Sequence, residues 1–306
     1  MKKENGLDLR PLKVCLVIIF ILVLGISLFA SAGQKNTTIK VGALCYHNFF
    51  TDEDLENGYE VDNYSIHIDE FRAHLQYLKE KNIRVISISE LLGFVKGKIN
   101  LPQNCMLITV DDCSRSFYEL AFPVLKEYDM VANMAVIGDR TDLADAGTAW
   151  TDMYCTWSEV KELAESGVVE IGSHTYYLHT TAKGRTGTML LSSEGTATYK
   201  KLLINDMTPL NEKIQRYCGY KPTFFAYPYY AISMPSVPTL RDTLGYRFLF
   251  VGNNDSSFRY CGEAIHETAY NPFVKGQEPE TCLIKRFSPR SGDDFAALIR
   301  EIFAVK

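Results

Sequence analysis

From residue 39 onward, short apolar runs alternate with stretches in which apolar residues recur every three or four positions, the pattern of strands interleaved with amphipathic helices. The runs predict strands at 39–46, 84–88, 105–110, 132–137, 168–172, 223–227, 247–251 and 282–287. Between them, Phe71, Leu75 and Leu78 share one helical face. Val160, Leu163 and Ala164 form another behind Thr156-Trp157-Ser158-Glu159, a capping box in which the Thr hydroxyl and the Glu carboxylate satisfy each other's backbone amides. Gly167 is placed to end that helix. After a polar linker at 34–38, no Pro/Gly-rich break divides 39–306, which reads as a single domain. Alternating β and α units over that length favour a parallel sheet closed into a distorted or incomplete (β/α) barrel, with an open doubly wound sheet as the runner-up. In either architecture chemistry belongs at the carboxyl ends of the strands. There is no repeat of solenoid length and no glycine-rich phosphate loop.

The amino end follows a different pattern. An apolar stretch runs from Val14 to about Ala32 without a charge, and Lys2, Lys3, Arg10 and Lys13 precede it. That length and that charge bias predict a signal anchor with a cytoplasmic tail over 1–33, sending the rest of the chain across the membrane. Ala30-Ser31-Ala32 offers the alternative of a cleaved signal peptide and a secreted product. With 46% hydrophobic and 23% charged residues the body is an ordinary globular chain. The whole carries −5; without residues 1–32, and so without four basic and two acidic side chains, it carries −7. An acidic body argues against a nucleic-acid partner. Seven Cys follow Cys15, an odd number from which no pairing can be read.

Chemistry concentrates at four strand ends. Leu107-Ile108-Thr109-Val110-Asp111-Asp112 closes a strand with two carboxylates, and because successive side chains of an extended backbone diverge, one can hold a metal while the other faces substrate or water. At Gly172-Ser173-His174-Thr175-Tyr176-Tyr177-Leu178-His179 two His lie five residues apart, a spacing that needs a strand-to-loop turn to converge. Two imidazoles and one carboxylate make a divalent-cation site with room for water. Phe225-Ala226-Tyr227-Pro228-Tyr229-Tyr230 ends a third strand in a stiffened aromatic turn whose amide is a candidate oxyanion donor and whose Tyr rings are candidate sugar platforms. His47, at the end of the first strand, is a candidate general acid.

The set resembles the polysaccharide deacetylases of carbohydrate esterase family four, the NodB homology domain, over about residues 40–306. Residues 107–112 resemble the first motif, T-F-D-D-G. His174-Thr175-Tyr176-Tyr177-Leu178-His179 is similar to the second, and its five-residue spacing resembles that of the poly-N-acetylglucosamine deacetylases. Tyr227-Pro228-Tyr229 resembles the core of the third. The resemblance implies that Asp112, His174 and His179 hold a divalent ion, zinc by preference with cobalt, nickel or manganese as alternatives. It also implies that Asp111 is the base, that His47 is the acid with His266 as its rival, and that Tyr229 and Tyr227 face substrate and oxyanion. The implied substrate is an N-acetylated cell-surface polysaccharide, with no protein partner called for. Three positions depart from the pattern: Cys113 for Gly, Ala226 for the Arg that orients the base, and Val110 for Phe. Arg286 is a candidate replacement for that Arg, and Cys113 threatens to crowd the site or to bring a thiolate to the metal. Through Cys113, a silent glycan-binding relative is the alternative from another class; an O-acetyl esterase on the same site is the second alternative.

Overall fold

In a computed structural model of the chain, residues 37–253, 268–279 and 281–303 are described. The apolar stretch of the amino end and His266 lie outside them. Among the described residues no helix is long and apolar enough to cross a membrane. The strands, in chain order, are β1 Thr38–Tyr46, β2 Asn48–Phe50, β3 Ser65–His67, β4 Arg84–Val85, β5 Asn104–Val110, β6 Ala132–Val136, β7 Val169–Ser173, β8 Phe224–Ala226, β9 Phe248–Gly252, β10 Asn271–Val274 and β11 Leu283–Arg286. The helices that matter below are α1 Ile68–Glu80, α2 Ile88–Val95, α3 Phe122–Tyr128, α4 Gly138–Asp145, α5 Trp157–Glu165, α6 Thr196–Cys218 and α7 Phe295–Phe303.

The sheet runs β1-β5-β6-β7-β8-β9-β11 with every neighbouring pair parallel. It returns to its start through a parallel bridge between Leu44 and Phe287, where the Cys45 amide donates to Phe287 O (2.7 Å) and the Phe287 amide to Ala43 O (2.9 Å). This is a nearly closed (β/α) barrel that splays at two seams, and each seam is stitched by a buried asparagine. At the first, β10 lies antiparallel along the start of β1 and keeps β11 away. There the Asn271 amide donates to Val41 O (3.1 Å) and Lys285 O (3.0 Å) and accepts from the Lys285 amide (2.9 Å). At the second, β4 occupies the early edge of β5, so β6 pairs only with Thr109 and Val110. Asn133 Nδ2 donates to Ile108 O (3.1 Å), and its Oδ1 accepts from the Ile88 amide (2.8 Å). Without these side chains the splayed backbone groups would be buried and unbonded.

Of the eight runs expected as strands, 84–88 is shortened to Arg84–Val85 and stands off the barrel path. Ser87 caps α2, taking the Glu90 amide while Glu90 takes the Ser87 amide, so the helix claims Ile88. The barrel interior holds Ile39, Val41, Ala43, Cys105, Leu107, Phe224, Ala226, Phe248, Phe250 and Ile284, the inward-alternating positions of the strands. Outward positions pack under the helices, with Leu44, Ile108, Met134 and Ile171 in one cluster and Phe225, Leu249 and Val251 in another against Leu203 and Met207 of α6. The Thr156 capping box opens α5, and Gly167, at φ +72°, lies just beyond its end.

Candidate active site

The inward series Cys105, Leu107, Thr109 on β5 continues to Asp111, which is buried at the top of the barrel. Both of its oxygens accept from the Arg286 guanidinium of β11, Nη1 to Oδ1 and Nη2 to Oδ2, each at 2.7 Å. Arg286 Nη1 also donates to Thr109 Oγ1 (3.0 Å), and the guanidinium lies 5.0 Å from the Phe250 ring centre. This bidentate fork is the strong geometry for a guanidinium and a carboxylate. Burial is the largest influence and would raise the Asp111 carboxyl, but the charge and hydrogen bonds of Arg286, with the His174 and His47 charges, together outweigh it and hold the group below the usual carboxylate range.

The next residue turns away. Asp112 has φ +71°, and its Oδ1 sits 3.3 Å from Nε2 of His174 and 3.3 Å from Nε2 of His179. His174 follows β7; its Nδ1 is 2.9 Å from Ala226 O, which fixes the tautomer and leaves Nε2 as a lone-pair donor. His179 is reached by a loop whose Tyr176 and Tyr177 amides both donate to the Asp206 carboxylate of α6 at 2.8 Å. The loop also passes through Thr175, at φ +74°. His179 Nδ1 lies 3.3 Å from the Tyr229 hydroxyl. A tetrahedron with metal–ligand bonds of about 2.0–2.1 Å has edges of about 3.3–3.4 Å. The two distances from Asp112 Oδ1 match such an edge, all three donor atoms lie within 4.8 Å of one another, and the buried Asp112 Oδ1 has no hydrogen-bond partner. The donor set therefore fits a divalent cation.

Five non-glycine residues with positive φ, Asp112, Cys113, Thr175, Tyr229 and Tyr230, sit at these three strand exits. Left-handed backbone costs an L-residue roughly 1–2 kcal/mol, so the turns hold a geometry that local preference opposes. The triad, Asp111 and His47 line a cavity of about 230 Å³ whose mouth is formed by Tyr64, Tyr229 and Tyr230. His47 continues the inward series of β1 and is nearly buried; burial lowers its imidazole pKa and outweighs the opposing pull of Asp112 and Asp111. Cys45, His47 and Asp111 also bring donor atoms within 4.8 Å of one another. Arg286 already claims both Asp111 oxygens, and burial pushes the Cys45 thiol up to about 12, so that second set is no cation site.

A family model described as polysaccharide deacetylase matches residues 98–249, a span that holds the Asp pair, both His ligands and the Tyr229 turn. The chain carries a polysaccharide deacetylase domain. It is 26% identical over 248 residues to a poly-beta-1,6-N-acetyl-D-glucosamine N-deacetylase of Escherichia coli (strain K12), covering 74% of this chain and 37% of the relative. It is 25% identical over 182 residues to an enzyme of the same name from Staphylococcus aureus (strain MSSA476), covering 60% of this chain and 59% of the relative. The chain thus spans well under two thirds of the length of either. In fold it is similar to a de-N-acetylase from Aggregatibacter actinomycetemcomitans, with a TM-score of 0.70 at 20% identity, over 85% of this chain and 99% of that one.

Within the deacetylase domain the structure gathers Asp111, Asp112, His174, His179, His47 and Tyr229 around one cavity. Arg286, the candidate replacement for the Arg absent at Ala226, is the residue that grips Asp111. Two expectations are corrected. Tyr227 does not face the cavity: it is fully buried, its hydroxyl bonded to Ser236 Oγ at 2.6 Å, because Phe225 and Tyr227 alternate outward toward α6 while Ala226 faces in. Cys113 neither crowds the triad nor offers it a thiolate; its positive φ turns the side chain into the core beside Cys155. Tyr64 is a cavity residue the sequence did not single out, whereas Tyr230 belongs to the aromatic turn whose rings are candidate platforms. Tyr230 stood beside the Tyr227-Pro228-Tyr229 motif, while Tyr64 lies in a polar loop with no strand signal of its own.

Proposed function

We propose that this domain removes acetyl groups from N-acetylglucosamine residues of a cell-surface polysaccharide, releasing acetate and leaving the free amine, and that a β-1,6-linked polymer is its substrate. The observation that carries this is the convergence of Asp112, His174 and His179 beside an ion-paired Asp111 and a buried His47. The names of the curated relatives support the choice of amide and polymer. The one-carboxylate, two-imidazole donor set points to zinc, which when bound polarises the acetamide carbonyl and acidifies a water.

The chain's own groups divide the remaining work. Arg286 keeps Asp111 ionised and aimed, ready to take the proton of the attacking water. His47 passes a proton to the departing amine. In the turn after β8 the amides of Tyr230 and Ala231 are bonded to Tyr227 O (3.2 Å) and Pro228 O (3.0 Å), so the donor assigned to the developing oxyanion is the Tyr229 amide. Tyr64 and Tyr229, about half exposed at the mouth, supply faces on which sugar rings stack. Because Cys113 lies in the core, the feature that suggested a silent relative does not touch the chemistry. The apolar amino end supports export with a retained membrane anchor, on the side of the membrane where such polymers lie.

The test is amine release from β-1,6-linked acetylglucosamine oligomers by zinc-loaded protein. Asp112→Ala should abolish zinc binding, whereas Asp111→Asn should bind zinc as the parent does and lose about 10²–10⁴ in rate. Equal zinc affinity in Asp112→Ala and parent refutes the triad. Loaded protein that releases alcohol from acetylated sugars but no amine would make it an esterase instead.

A further inference from the structure

The short segment after Asp112 pairs antiparallel with the residues before α5. Ser114 stands opposite Tyr154, the Cys155 amide donates to Cys113 O at 3.0 Å, and the Arg115 amide donates to Met153 O at 2.9 Å. Cys113 and Cys155 therefore face each other across this ladder. Both are free, fully buried thiols in the same core cluster, and the Cys155 thiol touches Ser114 O at 3.4 Å. Residues facing across an antiparallel pair sit about 4.5–5.5 Å apart at Cα, inside the roughly 4.4–6.8 Å that a disulfide requires. Cys113 also occupies a backbone position, φ +66°, that a glycine would adopt without strain. Simple filling of the core gives no reason to bear that cost there.

We propose that Cys113 and Cys155 form a disulfide that staples the metal-ligand turn of β5 to the capped start of α5. Asp112 precedes one sulfur-bearing residue, and Thr156, the N-cap of α5, follows the other. The bond ties a strained two-residue turn to an element held by its own capping box and by the buried Trp157. Its chemistry is thiol–disulfide exchange with a small-molecule or protein disulfide. One cysteine attacks the donor disulfide and expels a thiol; the second attacks the resulting mixed disulfide and expels the other. Two protein thiols become one disulfide while the donor is reduced to two thiols. The compartment in which this occurs rests on the export reading above. The pairing itself does not, and none of the measurements below involves deacetylation, so failure of one idea is distinguishable from failure of the other.

The full-length protein is unfolded and reduced with a phosphine, then refolded in a glutathione redox buffer, blocked with an alkylating agent and digested without reductant. One linked peptide pair should carry Cys113 and Cys155, while Cys45, Cys105 and Cys282 appear alkylated. The oxidised protein should melt roughly 5 °C or more above the phosphine-reduced protein. The gap should vanish in Cys155→Ala and in Cys113→Gly, the second of which suits the positive φ and guards against a variant that merely misfolds. Recovery of Cys113 and Cys155 as separate alkylated thiols, linkage of either to a different cysteine, or identical melting of the oxidised and reduced forms each overturns the proposal.

Discussion

Arg286 is the most informative residue to remove. Its guanidinium is fully buried and bonded to both oxygens of a carboxylate that is only 2% exposed, so replacing it by methionine keeps much of the volume and strands a charge. Breaking a buried pair from one side costs about 3–5 kcal/mol. The pH dependence fixes the sign. In the parent, Arg286 holds the Asp111 carboxyl below its unfolded value. That stabilisation is present above the unfolded carboxylate pKa, near 4, and is lost as pH falls through the lower folded value. In Arg286→Met burial is opposed only by the His174 and His47 charges, the carboxyl rises, and protonation relieves the stranded charge. The difference between parent and variant should therefore be widest at neutral pH and shrink toward pH 4.5. Urea unfolding in the presence of a chelator, from pH 4.5 to 8, reads this directly. With a slope of about 3 kcal/mol per molar urea, the midpoint at pH 7.5 should drop by roughly 1–1.7 M. A cost below about 1 kcal/mol, or one that is the same at pH 5 and pH 8, would refute the reasoning. Arg286→Lys, which keeps the charge but loses the fork, should fall between the two.

Two further outcomes follow from the same geometry. Asp206 accepts the Tyr176 and Tyr177 amides, and burial, against the pull of those amides, raises its carboxyl to about 6. Asp206→Asn turns one acceptor into a donor facing an N–H, and zinc affinity measured by chelator competition should fall about 10-fold or more although no ligand is changed; unaltered affinity would remove Asp206 from any role in the histidine loop. Because its folded value lies above the unfolded one, the contribution of Asp206 to stability is present below about pH 4 and declines as pH rises to about 6; the variant should lack that decline. A Cβ on Gly172 would sit 2.2 Å from Phe224 Cε2 and 2.4 Å from Cδ2 inside the barrel. Gly172→Ala should cost about 1–3 kcal/mol and disturb His174 two residues on, seen as a lower melting temperature with weaker zinc binding. An unchanged melting temperature would show that the barrel interior yields more readily than its packing implies.

Much of this molecule is written locally. Burial of a parallel strand on both faces favours a largely apolar run, so β1, β5, β6, β7, β9 and β11 are legible even where Lys40, Asn133, Glu170 and Lys285 interrupt them, and the polar residues just after β1, β5 and β7 mark the rim of the candidate site. That is why Asp111, Asp112, His174, His179 and His47 stood out before any contact was known. The alternation of an extended chain already required the two aspartates to part. Which way each one parted was decided by closure: Arg286 meets Asp111 only because β11 returns beside β1 and β5, and a separation of 175 residues leaves no periodic trace of that meeting. The same holds for Asn133 and Asn271, which look like ordinary polar interruptions until the sheet splays around them. Tyr227 was misplaced because its neighbours are apolar on both sides of the strand, and hydrophobic pattern cannot tell barrel interior from helix-facing exterior when both are dry. Cys113 and Cys155 are two cysteines among several in the sequence, and only the ladder between their segments sets one against the other. Short-range physics selects the elements and their chemistry; which side chains become partners is set by how a twisted sheet closes on itself.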